Sequence, residues 1–164
     1  MTPIHRILAF DPGTHLVHWA MLEGNTAKQT FLEGGSIGSD PTEIAKLIEL
    51  QEYSLGAVEI IEKYFRNPQR NGADGTPLIR CSRTSGICLG LLHPTPTFQM
   101  TASAPFGQTG WRSYLTGQRA GTDALVKTVL LARGIITKQD VTNEHVRDAI
   151  GLGAVALMLK GRDW

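Results

Sequence analysis

Ile7-Leu8-Ala9-Phe10-Asp11-Pro12-Gly13-Thr14 is the stretch on which the fold turns. Four apolar residues in a row, closed by Asp-Pro-Gly-Thr, describe a short buried strand that ends in a turn. An aspartate before Pro-Gly can simply open that turn, or it can be a functional acid delivered by a rigid strand. Working outward, residues 16–22 form a second strand stopped by Gly24-Asn25, and residues 28–32 a third that closes at Gly34-Gly35. Three strands joined by short Gly/Asn turns predict an antiparallel meander.

The pattern then changes. Asp40-Pro41-Thr42-Glu43 is a helix start, with an acid at the cap and proline just inside. Ile44, Leu47, Ile48 and Gln51 follow at helical spacing. Ala57-Val58-Glu59-Ile60-Ile61-Glu62 reads as a buried strand, parallel to the first because a helical crossover precedes it. Residues 66–77 are the most loop-like segment. Residues 78–92 read as a helix, His93-Pro94-Thr95-Pro96 breaks it, and residues 97–101 make a fifth strand. Residues 103–121 are rich in Gly and Ser, with Trp111, Arg112 and Tyr114 set among them. Residues 122–133, ending at Gly134, and 143–160 are the last two helices. This order predicts an α/β fold: a mixed five-stranded sheet flanked by helices, in one domain spanning residues 1–164.

Composition narrows the partners. Sixteen Lys+Arg against fifteen Asp+Glu give a formal charge of +1, and 41% of the 164 residues are hydrophobic. That excludes a protein that holds nucleic acid by bulk charge, and it excludes an acidic solvated tail. No apolar run approaches the roughly 18–20 residues of a membrane span, so no membrane partner is expected. Met1-Thr2-Pro3-Ile4-His5-Arg6 leads straight into a strand, so no signal peptide is expected either. Cys81 and Cys88 lie seven apart on a helix, about 10.5 Å along its axis and beyond the ~7 Å a disulfide tolerates. They are expected to be buried free thiols, as in a reducing compartment.

The chemistry rests on acids placed where strands end. In an α/β sheet, groups at the carboxyl ends of adjacent strands converge on one crevice. Asp11 ends the first strand, Glu62 or Glu59 belongs to the fourth, and His145 and Asp148 share one face at the start of the last helix. Gathered carboxylates repel unless a cation lies between them, and oxygen ligands with one imidazole suit Mg²⁺ or Mn²⁺. Glu59 and Glu62 are three apart, so on a regular strand only one reaches the site. Glu62 is favoured, because Glu59 would leave Ile60 and Ile61 beyond the functional position.

Three segments resemble the motifs of the RuvC family of Holliday junction resolvases, which has the ribonuclease H-like fold. Residues 7–14 resemble its first strand, and Ile60-Ile61-Glu62-Lys63-Tyr64-Phe65 resembles its second motif. His145-Val146-Arg147-Asp148-Ala149-Ile150-Gly151-Leu152 resembles its closing helix. The motifs come in the family's order and span nearly the whole chain. The resemblance implies that Asp11, Glu62, His145 and Asp148 bind two Mg²⁺ ions, with Mn²⁺ accepted, and that the enzyme is a homodimer cutting four-way or branched DNA. It implies DNA contacts from Phe65 and Arg112, and the sequence itself sets Arg66, Arg70, Arg80 and Arg83 around Phe65 as candidate phosphate ligands. For a second basic position, where Thr122-Asp123 departs from the family's lysine, it leaves Arg119 or Lys127. Ile87, Leu89, Leu91 and Leu92 become the candidate dimer face. The implied setting is the cytoplasm of a bacterial or phage-infected cell.

Other readings stand beside this one, the nearest within the same fold. A nuclease for flaps or Y-forks would use the same residues. An actin-like ATPase also ends its first strand in Asp-X-Gly-Thr, but needs two such halves, more than 164 residues hold. A silent junction-binding protein would have no use for costly buried acids.

Overall fold

The computed structural model describes residues 3–60, 76–102, 110–119, 121–140 and 143–160. Its elements are β1 (His5–Pro12), β2 (Leu16–Gly24), β3 (Gln29–Gly38), α1 (Pro41–Leu50), β4 (Leu55–Glu59), α2 (Thr76–Leu92), β5 (Thr97–Met100), α3 (Trp111–Thr116), α4 (Asp123–Ala132) and α5 (Glu144–Leu159). The five strands form one mixed sheet in the order β3-β2-β1-β4-β5. β1, β2 and β3 make the expected antiparallel meander, and β4 runs parallel to β1 and to β5.

Side-chain alternation along each strand divides the core into two layers. Ile7 and Ala9 of β1, Ala20 and Leu22 of β2, and Leu55 and Ala57 of β4 pack with α3, α4 and α5. Leu8, Phe10, Val17, Met21 and Val58 face the other way, onto Ile44 and Ile48 of α1 and Cys88 and Leu92 of α2. The middle of the central strand is therefore apolar on both faces, with Ile7, Leu8, Ala9 and Phe10 all at 0% exposure. This explains the unbroken apolar run in the sequence.

α5 lies closest to the sheet, and its small residues permit that approach. A Cβ on Gly153 would sit 2.7 Å from Leu22 Cδ1 and 3.1 Å from Ala9 Cβ. A Cβ on Gly151 would sit 2.5 Å from Cζ3 of the fully buried Trp111. The helix starts cleanly: Asn143 caps it, accepting the backbone N–H of His145 at 2.8 Å. At α1, Asp40 accepts from Thr42 with Pro41 in the first turn, as its sequence predicts.

Three boundaries differ from the sequence reading. β3 runs on to Gly38, because Gly34 and Gly35 stay extended against Ala20 and Trp19 rather than turning. β4 begins at Leu55 and ends at Glu59, where the sequence pattern suggested a strand through Glu62. Within the segment expected to be irregular, residues 111–116 form α3, whose buried Trp111 and Leu115 supply the anchor. Cys81 and Cys88 are free, and Cys88 is buried. Among the described residues no helix is long and apolar enough to cross a membrane.

Candidate metal centre

The strand alternation that builds the core also builds the site. Asp11 continues the Ile7–Ala9 side of β1 and Glu59 the Leu55–Ala57 side of β4. Phe10 pairs with Val58 in parallel register, so the two acids follow on neighbouring strands, on the face covered by α5. His18 pairs with Asp11 across β1 and β2 and continues the side of Ala20 and Leu22. From above, the first turn and a half of α5 brings His145 and Asp148 over the same point.

Asp11, His145 and Asp148 each offer a ligand atom within 4.8 Å of the other two. His145 Nδ1 lies 3.4 Å from Asp11 Oδ2. The carboxylates of Asp11 and Asp148 are almost covered, whereas the His145 ring is 53% exposed. The opening over the cluster is therefore on the histidine side.

Glu59 is held by Trp111, whose indole Nε1–H donates to Oε2 at 2.8 Å. Ser85 of α2 donates to the Glu59 backbone carbonyl at 3.0 Å, fixing the strand end from the opposite layer. Asp148 is held by Arg112, whose Nη2 lies 2.5 Å from Oδ2, and the same guanidinium reaches Asp123 Oδ1 at 2.7 Å.

Crowding shows in the proton affinities. Burial, reinforced by the charge of Asp11, pushes Glu59 up to about 8, against the pull of the Trp111 hydrogen bond. Burial pushes Asp148 up to about 6; Arg112 opposes this and Asp11 adds to it. His145 is raised by its hydrogen bond to Asp11, with burial opposing, whereas His18 is lowered by burial. Three acids and one imidazole thus share a space in which Arg112 already neutralises part of the charge. The donor set of carboxylate oxygens and one imidazole nitrogen fits a hard divalent cation such as Mg²⁺ or Mn²⁺. That cation would lift the repulsion raising Glu59 and Asp148.

The expected residues fall into three groups. Asp11, His145 and Asp148 come together. Glu62, Phe65, Arg66 and Arg70 lie outside the described residues. The preference for Glu62 over Glu59 rested on a strand passing through Ile61; β4 stops at Glu59, which has the parity of Ala57 and stands beside Asp11. Arg80, Arg83 and Arg119 are exposed. Arg112 is spent on Asp148 and Asp123 rather than turned outward. Of the candidate dimer face, Leu92 is core, and Ile87, Leu89 and Leu91 pack partly against the α1 layer. The sequence reading missed His18, Ser36, whose Oγ lies 2.7 Å from His18 Nδ1, and Trp111. A histidine in the buried stripe of β2 was the available signal for the first.

Comparison with solved structures places the architecture. Thermus thermophilus RuvC superposes with a TM-score of 0.68 at 15% identity, covering 96% of this chain and 95% of that one. The fold is that of RuvC. The T. thermophilus RuvC structure in complex with Holliday junction substrate matches the RuvC fold of this chain with a TM-score of 0.64 at 14% identity, covering 92% of each chain. The yeast mitochondrial Holliday junction resolvase Ydc2 matches with a TM-score of 0.58 at 11% identity, covering 93% of this chain and 79% of that one. No family model and no curated protein sequence matches the chain.

Proposed function

We propose that this chain is a divalent-metal-dependent endonuclease that resolves four-way DNA junctions. The single observation carrying the reading is the meeting of Asp11, His145 and Asp148 within 4.8 Å at the carboxyl end of the central strand, with Glu59 on the adjacent strand end. The RuvC fold supports the substrate class, since a solved relative of that fold is a junction complex.

Asp11, Glu59, Asp148 and His145 would hold the cations. The chemistry such ions would supply is activation of a water and stabilisation of the leaving 3′ oxygen of a phosphodiester. Asp11, fixed on the most buried strand, would be the most rigidly held of these ligands. Trp111 keeps Glu59 oriented toward the cluster. Arg112 keeps Asp148 ionised and in place, which counters the burial that favours its neutral form. His145, capped into position by Asn143 and open to solvent, is the group best placed to orient a water or pass a proton.

DNA is gripped locally rather than by bulk charge. Arg80 and Arg83 on α2 and Arg119 after α3 are exposed cations, and Phe65, Arg66 and Arg70 are assigned to the same role from the sequence. Symmetric cutting of two strands needs two active sites, so the working form is a homodimer. α2 is assigned to its interface, with Ile79 62% exposed on its outer side.

A labelled four-way junction and a linear duplex, incubated with Mg²⁺, Mn²⁺ or EDTA, test the proposal beside Asp11→Asn, Glu59→Gln and Asp148→Asn. Cleavage of the junction alone, lost in EDTA and in all three variants, is expected. Cleavage that ignores chelation or survives the substitutions sinks the metal reading. Equal cutting of flaps and Y-forks would move the substrate to branched DNA generally.

A further inference from the structure

His145 is the least restrained member of the cluster by its own element. It sits in the first turn of α5, its ring is 53% exposed, and its polar contacts are Asp11 at 3.4 Å and Glu144 at 3.8 Å. A half-exposed imidazole at a helix start ordinarily exchanges rotamers freely. Here its ring is backed by a second imidazole. His18 stacks on it with centroids 4.7 Å apart and planes inclined by 18°.

His18 is fixed in turn. It belongs to β2, flanked by β1 and β3, and is only 7% exposed. Its Nδ1 shares a 2.7 Å hydrogen bond with Ser36 Oγ, its direct partner in the β2–β3 register. Asp11, His18 and Ser36 thus form one row across three strands, and His145 rests on the middle of it. A histidine in an otherwise apolar stripe costs solvation energy unless it is bonded. Neither the fold nor the cluster Asp11–His145–Asp148 requires an imidazole there.

We propose that His18 is a positioning residue: braced by Ser36, it holds the His145 ring against Asp11 so that its donor atom is preorganised for the incoming cation. The inference rests on the metal-nuclease reading for its purpose, while the bracing itself exists without metal. Preorganisation of this kind acts by removing rotamer freedom that a ligand would otherwise have to lose on binding.

Two measurements separate the claims. In EDTA, ¹³C relaxation of the His145 ring reports its order directly. The wild type is expected to be as rigid as the backbone, roughly 0.85 in order parameter, and His18→Ala to fall below roughly 0.6. His18→Phe, which keeps a stacking ring, should stay near wild type, and Ser36→Ala should fall between. Mn²⁺ titration by calorimetry is then run on wild type, His18→Ala, His145→Ala and the double variant. His18→Ala is expected to weaken binding about 5- to 20-fold, and that loss should vanish in the His145→Ala background. An unchanged His145 order in His18→Ala, or an equal loss in both backgrounds, overturns the positioning role. If His18→Ala does not fold, Ser36→Ala and His18→Phe carry the same comparison. No Mn²⁺ binding by wild type, with ring order still dependent on His18, would sink the nuclease reading and leave the bracing standing.

Discussion

Replacing Glu59 by Gln should make the metal-free protein more stable while destroying the site. Glu59 ordinarily titrates near 4.5 and is pushed up to about 8, chiefly by burial and then by Asp11. Between those two values the folded state binds a proton that the unfolded chain releases, so stability falls as pH rises. From pH 4.5 to pH 7 the ceiling on that loss is about 3 kcal/mol, at about 1.4 kcal/mol per pH unit. Local relaxation and entering water reduce the realised value to about 1–3 kcal/mol. Gln keeps an acceptor oxygen for Trp111 Nε1–H and carries no charge. Thermal melts in EDTA at pH 5, 6, 7 and 8 should therefore show the variant gaining on the wild type with pH. At about 2–4 °C per kcal/mol for a chain of this size, the gain by pH 8 is about 2–12 °C. Wild type and variant should nearly coincide at pH 5. Asp148, raised toward 6, and His145 leave a slope common to both proteins, so the difference curve is the observable. A difference independent of pH, or a less stable variant at pH 8, would refute the claim that burial and Asp11 keep Glu59 protonated.

Three further outcomes follow from single contacts. Arg112→Ala leaves Asp148 facing Asp11 without its cation and should cost about 1–3 kcal/mol in urea unfolding; most of that penalty should be absent when Asp148→Asn is also present. Gly151→Ala drives a methyl to 2.5 Å from the Trp111 ring and should cost about 1–3 kcal/mol, with junction cleavage reduced because Trp111 holds Glu59. Trp111→Phe in the same chain should recover stability but not activity. Cys88, fully buried and pushed up to about 12 by that burial, should resist a thiol reagent in the folded protein at pH 8. The more accessible Cys81 should react first, and both should react in guanidinium; fast modification of two thiols in the native state would contradict the packing of α2.

The sheet was largely legible because its signals are local. An all-apolar strand, Gly/Asn turns and a capped helix after Asp40 each carry their own physics, and together they leave few topologies. Asp11, His145 and Asp148 were legible because each sits at a strand end or a helix start. What resisted reading was anything dependent on which sheet face a residue takes. The sequence argument that only one of Glu59 and Glu62 can reach the site assumed a regular strand through both, and the sequence does not say which face of β4 carries α5. That is settled by Leu55 and Ala57 packing into its layer. β3 past Gly34 was missed because glycine pairs also mark turns, and only the neighbouring strand keeps them extended. Trp111 looked like a loop aromatic because its partner, Glu59, lies 52 residues away.

α5 contributes to the molecule in two ways, with a consequence for when the cluster can form. Residues 149–157 are buried almost without break, and the turn before them supplies His145 and Asp148. The acids on β1 and β4 therefore acquire their partners only when this last helix docks. A nascent or partly melted chain, lacking that docking, holds isolated carboxylates and no cation site. Under the proposed function, cleavage would be coupled to completion of the core, so a chain delayed in folding is expected to be inactive rather than less specific.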